Sequence, residues 1–111
     1  PIVENVMRQS EGLFAGYVCG DDPVAHKPDP APYLAAASRL GLSADDMPHC
    51  VVFEDSSSGL RSGVASGATV IAQTGWIRTD TSGLGQFLSI DSYDGIDAAS
   101  LDAIVRKRLA A

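Results

Sequence analysis

Apolar and polar residues come in alternating blocks along this chain, and the spacing inside the blocks changes from one to the next. Residues 1–11 put Val3, Val6 and Met7 on one helical face behind Pro1, which suits a first turn, and Gly12 closes the segment. "FAGYVCG" then holds a short apolar run, read as a strand at residues 16–19 and closed by Gly20. A loop dense in Pro and Asp follows, "DDPVAHKPDPAP". At its end Asp29 suits a helix cap and Pro30 a first helical residue. The helix they begin sets Tyr33, Ala36, Ala37 and Leu40 on one stripe and stops at Gly41.

"SADDMPH" reads as a connector, and "CVVF" as a strand continuous enough in hydrophobicity to be buried on both faces. Residues 57–66 read as a helix with Leu60 and Val64 inward, ended by Gly67. "ATVIA" is the next strand, "QTGWIRTDTSGLG" a long loop, and "FLSI" a last short strand. From Asp97 onward, Leu101, Ile104, Val105 and Leu109 make a closing amphipathic helix. Strands alternating with helices of this length predict an α/β fold: a parallel sheet joined by right-handed crossovers and flanked by helices. The pattern contains no internal repeat, low-complexity tract or domain linker.

Composition narrows the function classes. The chain has 111 residues, 45% hydrophobic and 20% charged, which fits one small globular domain. No apolar run approaches the roughly 20 residues of a membrane span, and no basic segment followed by an apolar stretch marks a secretory signal. A net charge of −6 argues against a nucleic-acid partner, which needs clustered Lys and Arg. The one basic cluster, Arg106-Lys107-Arg108, reads as a solvated last helical turn facing the helix dipole. Cys19 and Cys50 lie in or beside apolar runs and read as reduced buried thiols, in keeping with a cytoplasmic setting. The chain opens on Pro1 without Met, the expectation being a fragment or a processed product.

In parallel α/β sheets ligands bind at the carboxyl ends of the strands. Those positions here carry Gly20-Asp21-Asp22 and then Lys27 after the first strand. Glu54-Asp55 and Ser56-Ser57-Ser58-Gly59 follow the second, and Gln73-Thr74-Gly75-Trp76 the third. The set suits phosphate handling with a divalent cation. Mg2+ prefers hard carboxylate oxygens and takes one or two carboxylates plus substrate oxygens and water, so Glu54 and Asp55 are the candidate metal ligands. Adjacent acids repel each other unless a cation or donors compensate. Lys27 supplies a positive charge for a phosphoryl oxygen. Ser56 and Ser57 are candidates to orient the acids as a cap, and small residues there let the helix start approach with its N–H groups. Asp22 is a turn residue with a candidate supporting role. His26 and His49 read as surface histidines, and Trp76 as either a ligand contact or a half-buried packing residue.

Gly20 to Gly41 and Val51 to Ala72, taken in order, resemble the haloacid dehalogenase (HAD) superfamily of phosphohydrolases. The branch most similar contains beta-phosphoglucomutase, phosphoglycolate phosphatase and small sugar-phosphate phosphatases. "KPDPAPYL" resembles the third family motif, whose lysine maps to Lys27. "VVFEDSSSGLRSGVASGA" resembles the fourth, whose metal-binding acids map to Glu54 and Asp55. The resemblance covers roughly residues 12–75. It implies a Rossmann-like, HAD-like core and a Mg2+-dependent phosphatase acting on a small phosphorylated metabolite such as a sugar phosphate. An aspartate nucleophile would form an aspartyl-phosphate that water hydrolyses, with a second aspartate as acid/base.

The departures matter as much. No "DxDGT"-like first motif occurs, and neither the second-motif Ser or Thr nor the cap domain is present. The resemblance therefore implies only the C-terminal portion of such a core, inactive alone, whose partner is the missing N-terminal half. In the family the missing strands lie between those mapping to 16–19 and 51–53, so those two strands are not expected to pair. A phosphomutase of the same branch and a non-catalytic HAD-like binding module remain the alternatives. An ATPase would need a GxxxxGK[ST] loop, and a phospho-receiver the opposite order of acids and lysine.

Overall fold

In the computed structural model the chain is described at residues 2–9, 12, 15, 16, 18, 22–76 and 80–111. Helix α1 (Ile2–Gln9) is followed by α2 (Ala31–Arg39), a 3-10 helix (Ala44–His49) and strand β1 (Val51–Glu54). Then come α3 (Ser57–Ala65), β2 (Thr69–Gln73), β3 (Leu88–Ile90) and α4 (Ala98–Ala110). The three strands form one sheet in the order β1-β2-β3. Both pairings are parallel, with Val52 opposite Val70 and Ala72 opposite Ser89. This is the expected α/β arrangement, and each strand exits toward the same edge of the sheet.

The central strand explains the core. Every residue of β2 is buried. Its side chains alternate between faces. Val70 and Ala72 join Val52, Leu60, Ala37, Met47 and Ala68 in one cluster, so α2, α3 and the 3-10 helix cover that face. Thr69, Ile71 and Gln73 point to the other face, where Arg108 of α4 donates to the Gly67 carbonyl at 3.1 Å and to Thr69 Oγ1 at 3.2 Å. Arg108 thus ties the last helix to the sheet, whereas the expectation was a solvated turn. Arg106, in contrast, makes an exposed ion pair with Asp102.

Several local expectations shift for physical reasons. The α2 helix begins at Ala31 with Pro30 at the cap position, but the Asp29 carboxylate still accepts the Ala31 N–H at 2.8 Å. The connector after Gly41 is itself helical. Ser43 and Asp46 form a reciprocal capping box that starts its 3-10 turn, and Met47 is buried beneath it. Leu60 is fully buried, but Val64 is 36% exposed; Ser62 and Gly63 take the inward positions of α3 instead. Gly67 ends α3 with a φ of +90°, a conformation that favours glycine.

β1 departs most. It was expected to be buried on both faces, yet only Val52 among its residues is fully buried. The reason is topological: β1 is an edge strand, and among the described residues nothing pairs with its outer side. Half of the strand expected at 16–19 lies outside the described residues, and the described Gly16 and Val18 carry no strand pairing. An apolar groove of about 320 Å3 opens beside β1, lined chiefly by Tyr33, Ala37, Leu40, Met47 and Val51.

Candidate active site

The loop before α2, the end of β1 and the start of α3 meet at the carboxyl edge of the sheet. Lys27 Nζ lies 3.0 Å from Glu54 Oε1, so residues 27 apart in sequence form an ion pair. The ammonium also lies 5.1 Å from the centre of the Tyr33 ring. Burial, then the charge and the acceptor oxygens of the nearby Glu54 carboxylate, and last the charge of Asp55, hold the Tyr33 phenol well above its ordinary range. The neighbourhood is therefore negative, and Lys27 is its local counter-charge.

Ser56 is the N-cap of α3. Its hydroxyl accepts from the Gly59 N–H at 3.1 Å and donates to Glu54 Oε2 at 3.4 Å. One serine thus caps the helix and holds the acid. Ser57 stands exposed in the first turn. A Cβ at Gly59 would overlap the Glu54 carboxylate, so glycine leaves the acid room to lie against the start of the helix. The sequence "EDSSSG" encodes that close approach.

Asp55 follows β1 and is half-buried. It lines a cleft of about 170 Å3 together with Phe53, Glu54, Gln73 and Tyr93. Gln73 is 8% exposed, and its Oε1 accepts the Gly75 N–H, which fixes the amide at the cleft wall. Tyr93 packs edge-on against Phe53 with ring centres 5.4 Å apart. Neither Tyr93 nor the part played by Tyr33 was anticipated. Tyr33 reads as one of a helical apolar stripe, and Tyr93 as a lone aromatic in a polar loop; only the fold brings each beside the acids.

The remaining candidates lie elsewhere. The Asp22 carboxylate pairs with Arg39 of α2 at 2.9 Å, which braces the loop carrying Lys27. His26 and His49 are exposed, as expected. Trp76 is 90% exposed, which removes its packing reading. Cys50 is free and half-buried, and burial followed by the Asp46 charge pushes its thiol up. Cys19 and Asp21 lie outside the described residues.

The donor set can be weighed against a divalent cation. Among the described residues no three His, Cys, Asp or Glu side chains converge as a complete metal cage. Two adjacent carboxylates beside an open polar cleft do suit Mg2+, which usually keeps water and substrate oxygens in its shell. Glu54 already spends Oε1 on Lys27, so Asp55 is the better placed to offer an oxygen.

Comparison with known proteins finds partial matches in sequence and in fold. No protein-family model matches the chain. A haloacid dehalogenase-like hydrolase domain-containing protein of Arabidopsis thaliana is 40% identical over 55 residues, covering 50% of this chain and 16% of that protein. Protein CbbY of Cupriavidus necator is 39% identical over 71 residues, covering 63% and 27%. Hexitol phosphatase A of Escherichia coli is 48% identical over 46 residues, covering 41% and 20%. The chain thus spans under a third of the length of these curated relatives. Among solved structures, a family IA, variant 3 HAD hydrolase from Entamoeba histolytica superposes with a TM-score of 0.77 at 27% identity. That match covers 94% of this chain and 48% of that one. A HAD family hydrolase from Deinococcus radiodurans with bound phosphate and sodium matches with a TM-score of 0.54 at 32% identity, over 71% of this chain and 36% of that one.

Proposed function

We propose that this chain, whose relatives in sequence and fold are HAD-family hydrolases, is the C-terminal portion of the core of a Mg2+-dependent phosphatase. Its substrate class is a small phosphorylated metabolite such as a sugar phosphate, in line with hexitol phosphatase A among the relatives. Cys50, a free thiol, suits a reducing cytoplasmic setting. Among the described residues no helix is long and apolar enough to cross a membrane.

The observation that carries the reading is the Lys27–Glu54 pair beside Asp55, at the strand exits and at the start of α3. In a phosphoryl transfer the charge to be stabilised spreads over the phosphoryl oxygens. Lys27 presents a cation to those oxygens, and Glu54 holds it in place. Asp55, with Glu54 beside it, is the side of the cleft that would hold Mg2+. The metal, when bound, neutralises phosphoryl charge and orients the group. The exposed N–H groups at the start of α3 face the same edge and favour an anion. The attacking carboxylate comes from the N-terminal half of the protein, which we place along the open edge of β1.

The test is a hydrolysis screen of the complete protein across sugar phosphates, phosphoglycolate and glycerol phosphate, with and without Mg2+. Metal-dependent release of phosphate that disappears in Asp55→Ala supports the reading. Hydrolysis that persists in Asp55→Ala removes Asp55 from the site, and a complete protein inert toward every ester points to the non-catalytic alternative.

A further inference from the structure

We propose that Tyr33 is a positioning residue that sets where the Lys27 ammonium and the Glu54 carboxylate stand relative to each other. The inference deepens the phosphatase reading and rests on it for its catalytic consequence, while its geometric content stands on the contacts alone.

Two separate interactions converge on one side chain. The face of the Tyr33 ring receives Lys27 Nζ at 5.1 Å, within the range of a cation–π contact. The charge of the nearby Glu54 carboxylate also acts on the phenol of the same ring. Lys27 and Glu54 are joined in turn at 3.0 Å, so the three groups form one cluster. The lysine comes from a loop, the acid from a strand end and the tyrosine from the first turn of α2. A long, flexible lysine on a loop would otherwise sample many positions. The Lys27 side chain is 37% exposed, so solvent alone would not hold it. Tyr33 is anchored by its helix and supplies a rigid plane that holds the cation beside the anion.

The chain's composition makes the test direct, because Lys27 and Lys107 are its two lysines. Lys107 is exposed on α4 and serves as the internal reference. In a proton–carbon spectrum of the 111-residue chain, the ring current of Tyr33 moves the Lys27 Hε protons upfield of those of Lys107. Tyr33→Leu brings them together, and Tyr33→Phe, which keeps the ring, preserves the shift. The amide spectrum shows that each variant is folded. If Tyr33→Leu does not fold, the wild-type chain and Tyr33→Phe still decide. Coincident lysine resonances in the folded wild type overturn the proposal, as does a shift that survives in a folded Tyr33→Leu.

The second readout uses the complete enzyme. Tyr33→Leu lowers kcat by roughly ten- to a hundredfold while KM changes little, the pattern of a misplaced reacting-group partner. Tyr33→Phe recovers most of that loss. An unchanged kcat in Tyr33→Leu overturns the proposal. A wild-type protein without hydrolase activity instead refutes the phosphatase reading, and the lysine shift then decides the positioning role by itself.

Discussion

The Glu54 carboxylate fills the space that a side chain at Gly59 would need. Helix α3 starts so close to the end of β1 that the acid lies against its first turn, held there by Ser56. Alanine normally stabilises a helix relative to glycine by about 0.5–1 kcal/mol. At this position the added methyl meets only the end of a flexible side chain, so Gly59→Ala changes stability by no more than about 1 kcal/mol and displaces Glu54 from Lys27 instead. Urea unfolding of the chain measures the first effect; loss of Mg2+-dependent turnover in the complete protein measures the second.

Leu60, the next residue, is 0% exposed and sits at the centre of the core cluster. Leu60→Ala is expected to cost about 2–5 kcal/mol, the range for a large-to-small change that leaves a cavity. Denaturant titration checks it. A cost well below this range would mean that α3 collapses onto the sheet to fill the space.

Lys27 separates stability from function. Its ion pair with Glu54 is partly open to solvent, and such pairs contribute about 0–1 kcal/mol. Lys27→Met therefore leaves the unfolding midpoint nearly unchanged. In the complete protein it reduces turnover on the order of 10²-fold or more, the scale seen when one electrostatic stabiliser of a transition state is removed. Parallel thermal melts and steady-state kinetics make the comparison.

Tyr33 gives a pH signature at the alkaline end. Burial, then the charge and the acceptor oxygens of the nearby Glu54 carboxylate, raise the folded phenol well above its ordinary value of 10.0. The unfolded chain therefore loses this proton first as pH rises. The contribution is fully present below pH 10 and is lost above it, at up to about 1.4 kcal/mol per pH unit. Unfolding free energies measured from pH 8 upward should fall more steeply in the wild type than in Tyr33→Phe. Parallel curves would show that the phenol ionises equally in both states.

The outer side of β1, which no described residue pairs with, predicts association. A strand edge left open beside an apolar groove is a template for another chain. The 111-residue chain should show concentration-dependent self-association in sedimentation velocity, and a strictly monomeric species at high concentration would speak against an accessible edge.

Much of this was readable from residue order. The apolar blocks at 51–53 and 68–72, the small-residue helix between them and the Asp97-capped final helix all appear close to their expected places. That Lys27, Glu54, Asp55 and Ser56 would meet at one edge was also legible, because strand exits in a parallel sheet point one way. What was hidden depends on neighbours. The half-exposure of β1 reflects which strand stands beside it, and a hydrophobic run looks the same at an edge or in a centre. The capping box of Ser43 and Asp46 turns a polar connector into a 3-10 helix. Arg108 reads as one charge of a basic cluster until the fold brings Gly67 and Thr69 beneath it. Tyr33 fits an apolar stripe in sequence, and only its hydroxyl and ring face, once folded, reveal two charged partners.

The same strand carries both the open edge and, at its tip, the acids. A strand laid beside β1 would run about 4.8 Å away, so a parallel one delivers its own last residues next to Glu54 and Asp55. Under the proposed phosphatase reading, closing the sheet and completing the site are then a single event.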